Sequence, residues 1–162
     1  MSNKDGKLVV GDKAPDFQLS GHDGKMHRLS DYLGEKGMIL FFYPKDNTPG
    51  CTTESCEFKE IYDEIRQTGH EILGISRDGV TTHNRFREKY ELPFTLLSDE
   101  DKSIHQAYGV WKEKNMYGKK TMGVVRSTFV ISKEGIIKEV FYNVRAKGHA
   151  FKVREYLLNE NV

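Results

Sequence analysis

The chain's two cysteines, Cys51 and Cys56, are its only thiols, and they close the run Phe41-Phe42-Tyr43-Pro44-Lys45-Asp46-Asn47-Thr48-Pro49-Gly50-Cys51-Thr52-Thr53-Glu54-Ser55-Cys56. A thiolate serves as nucleophile, redox centre or metal ligand, and its surroundings decide which. Here a turn rich in Pro and Gly delivers Cys51 to a helix start, where orphan backbone N–H groups and the helix dipole favour an anion. That is a setting for a reactive sulfur. Each residue also has a plainer reading. An isolated cysteine is often a buried, inert hydrophobe. Thr48-Pro49 is an ordinary N-cap and N1 pair, and Pro44 by itself marks a strand end. Metal site, redox sensor and catalyst all stay open on these residues alone.

Helix geometry separates the two sulfurs. Phe58, Ile61, Tyr62 and Ile65 follow the i, i+3, i+4, i+7 pattern of an amphipathic helix, predicted to run to about Gly69. With Phe58 at zero on the wheel, Cys51 falls at about +20° and Cys56 at about 160° for a turn of roughly 100° per residue. A regular helix therefore points Cys51 into the protein and Cys56 to solvent. The axial rise between them is about 7.5 Å, outside the roughly 4.4 to 6.8 Å between Cα atoms that a disulfide needs. They cannot bond while the helix stands.

The elements that must hold this turn alternate along the chain. Met38 to Tyr43 is a near-continuous apolar run, the pattern of a central strand covered on both faces. Asp16–Leu19 and Met26–Leu29, flanking Gly21–Gly24, read as a hairpin after an irregular start. Glu71–Ser76 and Thr95–Leu97 read as strands, with helices over Thr82–Tyr90 and Asp101–Tyr108. Gly109 to Gly123 shows no clean period and is expected to be a solvated basic loop. Ser127–Ile131 and Ile136–Tyr142 form an antiparallel hairpin, and His149–Leu158 a final helix. The expected fold is α/β, a central mixed sheet flanked by helices with an N-terminal hairpin extension, in one domain over residues 1–162.

Composition bounds the rest. A chain of 162 residues with 37% hydrophobic residues can bury a core without disulfide staples. Its formal net charge of +1 argues against a nucleic-acid partner. No apolar run approaches the ~18 residues a membrane helix requires. Met1–Lys7 is charged and lacks the apolar stretch of a secretory signal, so a cytoplasmic protein is expected. In that compartment a close Cys pair points to catalysis, redox sensing or metal binding over a structural disulfide.

Pro44, Thr48 and Cys51 fit the P-x-x-x-T-x-x-C signature of the peroxiredoxins. The segment from Tyr43 to Thr52 resembles the bacterioferritin-comigratory, or Q-type, subgroup. The likeness continues through Phe94–Asp99, Tyr108–Trp111, Met116–Lys119 and Arg126–Ile131, covering most of the chain. It implies a thioredoxin-like fold and reduction of hydrogen peroxide and organic hydroperoxides by a cysteine. By that resemblance Cys51 is the peroxidatic nucleophile. Thr48 holds the peroxide through a hydroxyl that can donate and accept. Arg126 brings a permanent cation in a planar fork, Pro44 shields the sulfur, and the backbone N–H groups of Gly50 and Cys51 complete a cradle. Glu54, one turn after Cys51, orients an arginine.

The subgroup commonly places a resolving cysteine five residues after the first, where Cys56 stands. Attack on the peroxide gives a sulfenic acid that Cys56 condenses to a disulfide. The first helical turns must then unwind, with Gly50 easing the change. Thioredoxin or a similar dithiol would reduce the product, and no cofactor or metal is called for. A resolving thiol in the same chain makes a monomer the expectation. So does the absence of a Gly-Gly-Leu-Gly segment and a C-terminal Tyr-Phe helix, which also implies resistance to over-oxidation. One alternative is a thioredoxin-like thiol-disulfide oxidoreductase, although that chemistry normally uses C-x-x-C. The other is a metal-binding or sensing module drawing on the two cysteines and any of His22, His27, His70, His83, His105 and His149, without an H-x-x-x-H or second Cys pair to support it.

Overall fold

The computed structural model describes residues 7–160. Residues 1–6, which make up all but Lys7 of the charged start that bears on a secretory signal, lie outside them. Strand β3 (Gly37–Phe42) is buried at every position, because both faces are covered. Its side chains alternate as the pleat requires. Met38, Leu40 and Phe42 enter one core with Leu29, Tyr108 and Phe129. Ile39 and Phe41 enter a second, with Cys51, Phe58, Phe86 and Val153. The sulfur is thus part of the second core's wall.

Among the described residues β3 belongs to a seven-stranded sheet in the order β2-β1-β5-β4-β3-β8-β9. The strands are β1 (Gln18–Gly21), β2 (Met26–Arg28), β4 (His70–Ser76), β5 (Thr95–Ser98), β8 (Ser127–Ile131) and β9 (Ile137–Phe141). Pairings β3–β4 and β4–β5 are parallel, and β3–β8 is antiparallel. The sheet is mixed, as the alternation of elements implied. The N-terminal hairpin is an extension of it, with β1 antiparallel to β5 through Ser20 and Ser98. Parallel neighbours need crossovers, supplied by α2 (Pro49–Glu60) with α3 (Tyr62–Gln67), and by α4 (Val80–Tyr90). The shorter α1 (Leu29–Tyr32) and α5 (Ser103–Ala107) precede the closing helix α6 (His149–Glu160). No helix among the described residues is long and apolar enough to cross a membrane.

Two expectations are corrected. The stretch Gly109–Gly123 is a hairpin of β6 (Trp111–Met116) and β7 (Lys119–Val124) in its own two-stranded sheet. Tyr117 and Gly118 close it with φ of 54° and 79°, the left-handed pair of a tight hairpin turn. Most of its side chains beyond Lys114 are exposed, so no apolar alternation betrayed it. The helix after Cys51 is also broken, at Ile61 (φ −105°, ψ 8°). Periodicity did not register the break because Phe58, Ile61 and Ile65 all stay buried across it.

Candidate active site

The end of β3 and the start of α2 are joined by the loop Tyr43–Thr48. Thr48 has the extended backbone of an N-cap (φ −90°, ψ 156°) with Pro49 at the first helical position, and its carbonyl accepts the first intrahelical bond from Thr52 N–H at 2.9 Å. Its side chain does not cap the helix. The hydroxyl turns back and donates to the Lys45 carbonyl at 2.8 Å. The oxygen's lone pairs therefore remain available to accept.

Cys51 lies in the first turn of α2 and is 1% exposed, so it faces inward as the wheel required. Arg126 immediately precedes β8, whose Ser127 pairs with Phe42 at the end of β3, and this antiparallel register brings it to the helix start. Its Nη2 donates to Cys51 Sγ at 3.4 Å, and its Nη1 donates to Glu54 Oε1 at 2.6 Å. One guanidinium thus bridges the sulfur and a carboxylate one turn on. Gly50 makes room for it, since a Cβ there would stand 3.2 Å from Arg126 Nη2. Pro44 is half-buried on the same loop.

Burial pushes the Glu54 carboxyl up to about 7 against the opposing attraction of Arg126. Burial opposes the charge on Arg126, yet Glu54 and then Cys51 hold its pKa above the ordinary arginine value. The guanidinium therefore stays charged, while burial works against the charge of the carboxylate that pairs with it. Lys114 of β6 feels the same site: burial first, then Arg126, lowers its pKa, while Cys51 opposes. The hairpin misread as a loop therefore brings another cation to the sulfur's surroundings.

Cys56 follows on the same helix, half-buried, and both thiols are free. The unbroken helix between them keeps them about 7.5 Å apart along its axis. Behind α2, Glu57 Oε1 accepts from Gly148 N–H at 2.8 Å. His149, 2% exposed, meets Phe58 edge to face and is hydrogen-bonded through Nε2 to Thr128 Oγ1 at 2.6 Å. Its pKa falls to about 4 through burial, then through Arg126 and Lys152. Among the described residues, the one group of three or more His, Cys, Asp or Glu within ligand reach is Asp46, Asp78 and His83. It includes neither cysteine. Residue patterns alone did not single out Lys114, Glu57 or the packing of His149 under α2, because each acts through a contact distant in sequence.

A thiol buried at a helix start, bridged through arginine to a glutamate on a thioredoxin-like sheet, defines a cysteine-based peroxidase. Comparison with known proteins agrees. The AhpC/TSA family model matches residues 10–140. Peroxiredoxin Bcp of Bacillus subtilis is 43% identical over 93% of this chain and 95% of its own length. That of Escherichia coli is 41% identical over 93% and 96%. A mutant of Xylella fastidiosa PrxQ superposes with a TM-score of 0.90 at 36% identity, covering 96% of this chain and 98% of its own. The bacterioferritin comigratory protein of Xanthomonas campestris gives 0.87 at 38%, over 94% and 99%. The chain belongs to the AhpC/TSA family, as a peroxiredoxin of the Bcp/PrxQ kind, and is a peroxidase.

Proposed function

We propose that the chain reduces hydrogen peroxide and organic hydroperoxides through Cys51, and that the bridge Glu54–Arg126–Cys51 is the observation that carries the assignment. The Cys51 thiolate attacks the near oxygen of R–O–O–H and the O–O bond breaks. The sulfur becomes a sulfenic acid, and the leaving alkoxide takes a proton as R–OH. Arg126 and the N–H groups of Gly50 and Cys51 stabilise charge on the departing oxygen. Thr48, its hydroxyl hydrogen already given to Lys45, accepts from the peroxide O–H. Pro44 shields the site. The Xanthomonas relative has alkyl peroxide reduction activity, which supports organic hydroperoxides as substrates here.

Cys56 then attacks the sulfenic sulfur, releasing water and forming the Cys51–Cys56 disulfide. Thioredoxin or a similar dithiol reduces it by exchange. All of this needs one folded domain and one chain, which supports action as a monomer. Steady-state peroxide reduction with a thioredoxin system tests the reading. Cys51→Ser is expected to be inactive, and Cys56→Ser to react once and then turn over poorly. Retained turnover in Cys51→Ser would overturn the assignment.

A further inference from the structure

We propose that Asp46, Asp78 and His83 are positioning residues of the peroxidase reaction, which set the Lys45–Asp46 peptide and through it the Thr48 hydroxyl. This rests on the reading of Cys51 as nucleophile and Thr48 as the acceptor of the peroxide O–H.

Asp46 is 4% exposed and His83 is fully buried, although Asp46 sits on a short irregular loop. Burying a charge is unfavourable by several kcal/mol unless it is paired, and here one oxygen accepts a hydrogen bond while the other has only an ion-pair contact. His83 Nδ1 lies 2.6 Å from Asp46 Oδ2, and Tyr43 O–H donates to Asp46 Oδ1 at 2.5 Å. His83 Nε2 faces the Leu97 carbonyl at 2.9 Å, so the ring also locks to β5. The Asp46–His83 contact is an ion-pair distance, shorter than the about 3 Å at which a tetrahedral cation bound by both partners would hold the two atoms.

The cluster reaches the active site through one peptide plane. Asp46 N–H donates to Asp78 Oδ2 at 2.8 Å, and that oxygen also accepts from Ser76 Oγ at 2.7 Å. The Lys45 carbonyl belongs to the same rigid peptide unit, and it is the group that accepts from Thr48 Oγ1. A carboxylate on the N–H side polarises the carbonyl on the other and fixes its direction. Rotation of that plane would release the Thr48 hydroxyl to swing away from Cys51. The next residue, Asn47, is left-handed (φ 60°), so the chain reverses between the clamp and the helix.

The test compares two reactions of Cys51 in the reduced protein: single-turnover oxidation by hydrogen peroxide, and alkylation by iodoacetamide, which needs the thiolate but not Thr48. In Asp46→Asn, His83→Gln and Asp78→Ala the peroxide rate is expected to fall about 10- to 100-fold, the scale of a small misplacement, while alkylation stays near wild type. Each change placed in a Thr48→Val background is expected to produce no further loss. Asp78→Ala leaves the buried Asp46–His83 pair intact, so the test survives a folding failure in the other two. Equal losses in both reactions, or losses that add fully to Thr48→Val, would overturn the inference. Wild-type rates in all three variants beside a slow Thr48→Val would overturn it alone. A wild-type rate in Thr48→Val would remove the reading beneath it.

Discussion

At Thr48 a hydroxyl in position to cap α2 donates instead to Lys45, which separates two roles a threonine can play at a helix start. Loss of a capping hydroxyl destabilises by about 1 kcal/mol. Thr48→Val is therefore expected to lower the peroxide rate about a hundredfold, the scale of one lost oxygen-stabilising contact, without that loss of stability; Thr48→Ser restores the rate. Denaturant unfolding beside single-turnover kinetics checks both halves, and a stability loss with a preserved rate would contradict it. Glu54 makes a second residue-scale prediction. Burial holds its carboxyl near 7, so its charge, and its electrostatic hold on Arg126, arrive as pH rises through 7. The peroxide rate should show an inflection there that Glu54→Gln abolishes. A profile unchanged by that substitution would show that the carboxylate does not govern Arg126.

Helix α2 carries both sulfurs, and its regularity is what keeps them apart. Unwinding must release Glu54 from Arg126 and Glu57 from the Gly148 N–H, while the break at Ile61 separates α2 from α3. The Glu57 bond is half-buried and worth about 1 kcal/mol, so Glu57→Ala should raise the opened population about fivefold. Disulfide formation after a peroxide pulse should accelerate by the same factor, read by quenched-flow mass spectrometry; an unchanged rate would mean that α6 does not restrain the helix. The elements legible in the sequence are those with a buried face: β3 reads as an unbroken apolar run and α2 as a stripe. The β6–β7 hairpin shows no such face, so the stretch reads as a loop. The site divides likewise. Cys51 declares itself through local turn and helix chemistry, whereas Thr48 reads locally as an N-cap and gains its role only from the peroxiredoxin resemblance. Arg126, 75 residues away, looks alone like a surface arginine; the resemblance through Arg126–Ile131 marks it, and the β3–β8 register places it. Asp46 and His83 show nothing until α4 packs against the loop.

Over the whole molecule, two buried groups around α2 couple its fold to pH with opposite signs. Burial raises the folded pKa of Glu54 from 4.5 to about 7. Between those values the native state holds a proton that the unfolded chain has lost, so its contribution is complete below about 4.5 and declines as pH rises to about 7. Burial lowers the folded pKa of His149 from 6.5 to about 4. The unfolded chain then holds the extra proton, and this contribution is complete above about 6.5 and declines as pH falls to about 4. Each effect amounts to about 3 kcal/mol across its window, at 1.36 kcal/mol per pH unit. Between about 4.5 and 6.5 the two slopes cancel, so wild-type stability gains nothing net from the pair as pH changes there. Removing either group should unmask the other: unfolding free energy should rise with pH in Glu54→Gln and fall with pH in His149→Gln, relative to wild type. Urea denaturation at several pH values across that window measures both slopes. Parallel curves for wild type and both variants would show that neither group carries the fold's pH dependence, and that the charge beneath α2 is set elsewhere.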